Sequence, residues 1–239
     1  MFTDEAIVLG ARAHGETHAI AELFTAAHGR ALGLVHGGQG RRRGPLLQPG
    51  NLVKCEWKGR ADSLGWFTLE LDHAHAAELM SDRMSLAGLT AACALARVAL
   101  PEREPHVRAF DAMRVLIANL GDVDMWPALM ARWELGLLAE LGYGLSLDRC
   151  AATGAREDLV YVSPKSASAV SRAAGEPYKD KLLALPQFLI DPAADAARDD
   201  AVAALTTMGY FLDTRVLKPF GKELPEARRR ILSLLCEAN

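Results

Sequence analysis

The sequence predicts an α+β protein: a small five-stranded barrel over about residues 1–75, then a mostly helical remainder over 76–239. Three observations predict it. Apolar and charged residues alternate through Val53-Lys54-Cys55-Glu56-Trp57-Lys58, the period-two pattern of a strand with one buried and one wet face. Turn residues divide the first seventy or so residues into five short runs rich in β formers. From about Ala76 the apolar spacing changes to steps of three and four, the period of a helix.

The strands are expected at 5–12, 18–26, 30–36, 51–58 and 64–72. His28-Gly29 turns the chain between the second and third, and Asp62-Ser63 with Leu64-Gly65 between the fourth and fifth. Between the third and fourth lies Gly37-Gly38-Gln39-Gly40-Arg41-Arg42-Arg43-Gly44-Pro45, whose glycines and proline oppose regular structure and mark a mobile loop. Five short strands and one long loop suit a small closed or partly open barrel such as the OB-fold.

Leu86, Leu89, Cys93, Ala96 and Leu100 form the apolar face of a first long helix, stopped by Pro101. Val107, Phe110, Met113, Val115 and Leu120 carry a second, closed by Gly121. A third runs through Trp126, Leu129, Met130, Trp133, Leu137, Leu138 and Leu141 to Gly142, with Asp122 or Asp124 as N-cap. Residues 149–195 read as irregular, punctuated by Pro164, Pro177, Pro186 and Pro192. Asp199 to Leu217 is helical again, with Val202, Leu205, Met208, Phe211, Leu212 and Val216 on one face. A last short helix starts at Leu224-Pro225 and carries Ile231, Leu232, Leu234 and Leu235.

The composition limits the function. Half of the 239 residues are hydrophobic, enough for a real core, and the net charge of −3 is not that of a dedicated nucleic-acid binder, so any such affinity must come from a local patch. Cys55, Cys93, Cys150 and Cys236 are far apart and form no C-x-x-C pair, which reads as free thiols in a reducing cytoplasm. Two acids precede the first apolar run, against a signal peptide, and the longest uncharged stretch, 84–96, is too short for a membrane span. A soluble protein without membrane contact is expected.

Residues 28–60 hold the strongest local signal: Arg30, Arg41, Arg42, Arg43, Lys54, Lys58 and Arg60 against the single acid Glu56. Such clusters bind phosphates by Coulomb attraction and counterion release, with little reading of sequence. Lys54 and Lys58 project from one face of their strand; Trp57 falls on the other and reads as core rather than as a platform for bases. A second basic group, Arg215, Lys218, Lys222, Arg228, Arg229 and Arg230, is more ordinary, since cations near helix C-termini favour the helix dipole. His14-Gly15-Glu16-Thr17-His18 lacks the H-E-x-x-H spacing and sits in a turn, and His73-Ala74-His75 follows the last strand; both read as exposed turn histidines rather than metal ligands. Glu134 and Glu140 read as solvated helix flanks. The sequence contains no P-loop, no G-x-S-x-G and no dinucleotide fingerprint, so no cofactor is expected.

Several stretches in order resemble the RecO family of recombination mediators. Glu16-Thr17, Leu23-Phe24-Thr25 and Gly29-Arg30 resemble its opening hairpin; Gly37 to Arg43 with Leu46-Leu47-Gln48-Pro49 resembles its basic loop and the strand after it. Arg132-Trp133-Glu134-Leu135, Leu137-Leu138, Leu141-Gly142-Tyr143-Gly144 and Cys150 are similar to its central helix and exit, and Leu217-Lys218-Pro219 with Leu224 to Leu232 to its closing helices. The resemblance implies an N-terminal OB-fold and a helical domain. It also implies binding of single- and double-stranded DNA, annealing, and loading of RecA onto strands coated by single-stranded DNA-binding protein. The implied partners are RecR and the acidic C-terminal tail of that coating protein. Many members carry a four-ligand zinc site after the central helix. Here only Cys150 matches; Thr153 stands at the second position and the later pair is lost near Ser171 and Ala174, so zinc is not expected at 149–195, which must be held by packing of Leu159, Tyr161, Leu182 and Phe188.

The sequence therefore reads as a non-enzymatic, cytoplasmic repair and recombination mediator with no metal. Its DNA contacts are expected at Arg30, Arg41, Arg42, Arg43, Lys54, Lys58 and Arg60. Its partner-tail contacts are expected at Arg132, Trp133 and Leu137 beside Met130, with Arg108 and Arg114 as alternative rim residues. The rival readings are an RNA-binding OB module using the same patch, and a metal-dependent hydrolase built on His14, Glu16 and His18.

Overall fold

The computed structural model describes residues 1–60 and 63–237; Asp62, assigned above to a turn, lies outside them. Five strands close a barrel in the order β1-β2-β3-β5-β4: β1 (Phe2–His14), β2 (His18–Thr25), β3 (Gly29–Val35), β4 (Leu52–Lys58) and β5 (Trp66–His73). All neighbours are antiparallel except β3 and β5, which meet in parallel at Leu34 and Trp66. The expected alternation of β4 holds, with Val53, Cys55 and Trp57 buried and Lys54 and Lys58 exposed. Ala6, Val8, Leu23, Val35, Val53, Trp57 and Phe67 share the barrel core. Gly33 makes room for closure: a Cβ there would stand 2.5 Å from the Phe67 ring. Trp57 seals the same end, its indole N–H shared by the Leu32 and Leu64 carbonyls at 3.2 Å each.

The chain divides into two compact units, 1–121 with 225–228, and 122–224 with 229–239. The barrel ends where expected, but its compact unit runs on to Gly121. Three helices belong to it: α1 (His75–Leu79), α2 (Arg83–Ala99) and α3 (Val107–Ala118). In β1, Ile7 and Leu9 are buried between the core residues Ala6 and Val8, because both faces of this strand are covered. Cys93 of α2 reaches the Val8 carbonyl at 3.8 Å, and Phe110 of α3 packs edge-on to Phe24 at 5.4 Å. Gly50, at φ +88°, allows the approach of Leu89, which a Cβ would meet at 2.3 Å. Asp82 caps α2 by accepting from the Ser85 amide at 2.6 Å. Two residues assigned to apolar helix faces are outside the core: Leu86 is 40% and Val115 53% exposed, and Ala92 and Leu95 are buried instead.

The second unit is built on α4 (Trp126–Glu140) and α6 (Arg198–Phe211), which pack together. Asp122 rather than Asp124 organises the start of α4, its carboxylate accepting from the Asp124 and Met125 amides at 3.1 Å each. α4 is buried nearly all round, and this corrects the reading of Glu134, which is fully buried rather than solvated. Residues 149–195 are not irregular. They hold β6 (Leu159–Val162), β7 (Ala169–Ser171) and β8 (Leu183–Ala184) in a sheet of order β7-β6-β8, followed by the one-turn α5 (Arg172–Gly175) after β7. Strands of four, three and two residues are too short to show a period in the sequence. Leu159 and Phe188 are buried in this region as expected, while Tyr161 and Leu182 close over Gly175. The helix expected to Leu217 is α6 followed by a widened π turn over Leu212–Leu217, and α7 (Glu226–Glu237) follows Pro225.

Candidate nucleic-acid interface

The seven basic residues of the N-terminal cluster have different fates. Arg30, on β3, is committed to the fold: its guanidinium bonds Glu22 at 2.5 Å and the Leu100 carbonyl at 2.9 Å, with Arg97 on the other Glu22 oxygen at 2.8 Å. Its side chain is 17% exposed. These bonds hold Arg30 to the fold, and sequence reading could not see that Glu22 lies across the β2–β3 ladder, two residues along β2 from Phe24, the register partner of Arg30.

Lys54 and Lys58 share the outer face of β4 as expected, but that face is not purely basic. Register places Glu5 and Glu70 on either side of Lys54, and Glu56 bonds Lys58 at 3.0 Å. Glu5 is itself paired with Arg114 at 2.9 Å. Arg60 is exposed beyond the strand, where its backbone brackets Ser63.

The arginine loop is different. It leaves β3 through a string of turns, with Gly37 at φ +66° and amide bonds from Gly38 to Val35, Gly40 to Gly37, Arg43 to Gly40 and Gly44 to Gly40. Gln39 ties it to the β1–β2 turn through the Gly15 and His18 carbonyls at 3.0 and 2.8 Å. The loop is thus a fastened platform, not the mobile tether its glycines suggest. Arg41, Arg42 and Arg43 are exposed on it, and among the described residues no acidic side chain pairs with any of them. Arg43 donates to the His36 carbonyl, which aims it along the barrel wall.

That wall carries an aromatic the sequence reading passed over. Trp66 opens β5 opposite Lys58, so the two share the outer face, and it is 50% exposed. Trp66, Arg43, His36 and Leu46 line one recess of about 280 Å³. The His36 ring lies 6.1 Å from Trp66 and edge-on to His18 at 4.9 Å. The signal was present: successive residues of a strand face opposite sides, so a buried Phe67 puts its neighbour Trp66 outside. An exposed indole offers a π face to any base, and arginines beside it neutralise the adjoining phosphates. Trp57, by contrast, is 5% exposed and belongs to the core, as its alternation required.

The residues expected to bind the partner tail do not form a surface groove. Trp133 and Leu137 are 2% and 0% exposed, and Met130 is fully buried. Arg132 donates to the Phe188 carbonyl at 3.1 and 3.2 Å and to Pro192 at 3.3 Å, lying 5.5 Å over the Phe188 ring. The expected apolar groove with a basic rim is therefore core plus a buttressing arginine. In the C-terminal group, Arg215 bonds the Pro164 and Lys165 carbonyls at 3.1 and 2.8 Å, Lys218 pairs with Asp213 at 2.6 Å, and Arg228 is buried. His14, Glu16 and His18 do not converge among the described residues; His18 Nδ1 instead accepts the Gly37 amide at 3.2 Å.

Cys150 is 2% exposed. The Ser171 amide and hydroxyl lie 3.3 and 3.4 Å from its Sγ. Burial opposes ionisation of this thiol, but hydrogen bonds from Ser171, Thr153 and the Ala152 amide bring its pKa down to about 6. Cys55 and Cys93 are pushed up to about 12, because burial outweighs the one backbone hydrogen bond each receives, from Asp4 and Gly50.

A closed five-stranded barrel of this topology followed by a mostly helical region defines an OB-fold protein with a helical second part. Comparison with known proteins gives the family. Residues 1–71 match the model for the recombination protein O N terminal and residues 80–224 that for the recombination protein O C terminal. The chain is 51% identical over 239 residues to the DNA repair protein RecO of Methylobacterium nodulans, covering 98% of this chain and 97% of that one. It is 49% identical to those of Phenylobacterium zucineum and Caulobacter vibrioides, covering 99% of this chain and 98% of each relative. The chain belongs to the RecO family of DNA repair proteins. Among the described residues, no helix is long and apolar enough to cross a membrane.

Proposed function

We propose that this chain is a non-enzymatic recombination mediator of the cytoplasm. It binds single- and double-stranded DNA, anneals complementary strands and helps load RecA onto strands coated by single-stranded DNA-binding protein, with RecR and the tail of that coating protein as partners. One observation carries the reading: three arginines without acidic partners among the described residues, on a fastened loop beside an exposed tryptophan. The DNA-contact set is Arg41, Arg42, Arg43, Trp66 and Arg60, with Lys54 and Lys58 as secondary contacts. Annealing needs no nucleophile or nucleotide; it needs two phosphate backbones neutralised together while bases stay free to pair, and an arginine platform serves the first of these. The tail-binding surface is assigned to the helical domain but not to Arg132, whose donors are held by backbone carbonyls.

The test is annealing of complementary oligonucleotides pre-coated with single-stranded DNA-binding protein, with and without RecR. Acceleration by the wild type and loss in Arg41→Ala/Arg42→Ala supports the reading; no acceleration overturns it. Competition by a matched RNA strand on equal terms with DNA would favour the RNA-binding reading.

A further inference from the structure

We propose that His73, His75 and Glu78 form a site for one divalent transition-metal ion of the zinc type at the rim of the barrel. One donor atom from each residue lies within 4.8 Å of the others. His73 Nε2 is 2.9 Å from one Glu78 oxygen, His75 Nδ1 is 3.8 Å from the other, and the two imidazoles stand 4.1 Å apart between centroids. Zinc takes nitrogen and oxygen donors at about 2.0–2.2 Å, so donors around it are roughly 3–3.5 Å apart, and small side-chain turns bring this set to that spacing.

The fold positions all three. His73 ends β5 opposite Leu52, while Leu71 pairs with Val53, so Asp72 is an extra residue in the ladder. A bulge of this kind at a barrel rim re-aims the side chains beside it. His75 opens α1, and the next residue is tied down: the Ala76 amide donates to Asn51 Oδ1 at 3.2 Å. Asn51 is 2% exposed and its amide also holds the Pro45 carbonyl at 2.9 Å. Glu78 lies three residues along α1 from His75, on the same helical face. The sequence pattern missed the site because H-x-H alone supplies two ligands, and the third depends on where α1 begins.

Two imidazoles and one carboxylate select zinc, nickel or copper over magnesium or calcium, which prefer all-oxygen sets. Three protein ligands leave a fourth position, and His73 and His75 line an open cleft of about 530 Å³ together with Asp72, Asp111 and Arg114. Closed structural sites use four protein ligands; a three-ligand site with an open position holds an exchangeable ion with water or an anion in the remaining place. The site is independent of Cys150, which belongs to the other compact unit.

The experiment uses the untagged full chain, stripped with chelator and titrated with zinc by calorimetry, and with cobalt by visible spectroscopy. We expect one equivalent bound, a cobalt spectrum without thiolate charge-transfer bands, and a higher Tm on adding zinc. His73→Ala and Glu78→Gln should each weaken binding roughly tenfold or more, while Cys150→Ser binds as wild type. His73 and Glu78 side chains are 47% and 59% exposed, so both variants should fold, which circular dichroism checks. Absence of saturable uptake, or equal affinity in the His73→Ala/His75→Ala double variant, overturns the proposal and leaves His73 and Glu78 as an ion pair.

Discussion

The outer face of β4 and the arginine loop come from one basic stretch of sequence, yet they present charge differently. On β4, each lysine has acidic company: Glu5 and Glu70 flank Lys54, and Glu56 holds Lys58. On the loop, Arg41, Arg42 and Arg43 have none among the described residues. Exposed ion pairs are worth little to stability, about 0–1 kcal/mol, but they set what a phosphate must displace. The strand face screens an incoming backbone from its own lysines, while the loop meets it unscreened. Net charge in a window of sequence thus says less about phosphate binding than the register that decides which acids stand opposite.

The largest effect should follow from the loop. Arg41→Ala/Arg42→Ala/Arg43→Ala should weaken DNA binding and flatten the salt dependence by about 2 units on single strands and nearly 3 on duplex. Fluorescence anisotropy across a salt series checks this. Lys54→Ala/Lys58→Ala should change affinity only about threefold or less, because Glu5, Glu56 and Glu70 remain. Equal losses from the two sets would break the distinction between strand and loop.

Trp66→Ala should cost about 1–3 kcal/mol of single-strand binding, with less effect on duplex, since only unpaired bases offer a face for stacking. Its exposure predicts little change in stability. Trp57→Ala should instead destabilise the barrel by about 3–5 kcal/mol. A Trp66→Ala variant that binds like wild type would confine the interface to the loop.

Arg30→Ala and Arg132→Ala should leave the DNA affinity of the folded protein unchanged while each lowers stability by about 1.5–3 kcal/mol, the range for hydrogen bonds to charged groups. Urea unfolding measures the loss. Their contrast with Arg41 marks the limit of sequence reading. The barrel was legible because Val53 to Lys58 and its neighbours show period two, and the helices because their apolar steps are regular. The fate of an arginine was not, because Arg30 depends on Glu22 and Leu100, and Arg132 on Phe188 and Pro192, none of which is marked by local pattern. Trp66 was legible in principle from the alternation of β5, which sends Phe67 inward and its neighbour outward. The sheet over 159–184 was hidden by the brevity of its strands.

The smallest effect on DNA affinity should come from Cys150→Ser. Its place in the fold is nonetheless definite. Ser171 and Thr153 donate hydrogen bonds to its sulfur and bring its pKa down to about 6, against 9.0 for an unperturbed thiol. Hydrogen bonds of this kind favour the ionised form of the sulfur. A group whose folded pKa is depressed contributes stability that is fully present above its unfolded pKa and lost as pH falls through the folded one. The wild type should therefore gain stability as pH rises from about 6 to 9, and the urea midpoint should climb across that window. In Cys150→Ser this part of the climb should vanish, while DNA binding stays intact and no zinc is lost from this region. A variant whose midpoint follows the same pH curve as the wild type would show that the thiol is protonated in the fold, and that Ser171 merely packs against it.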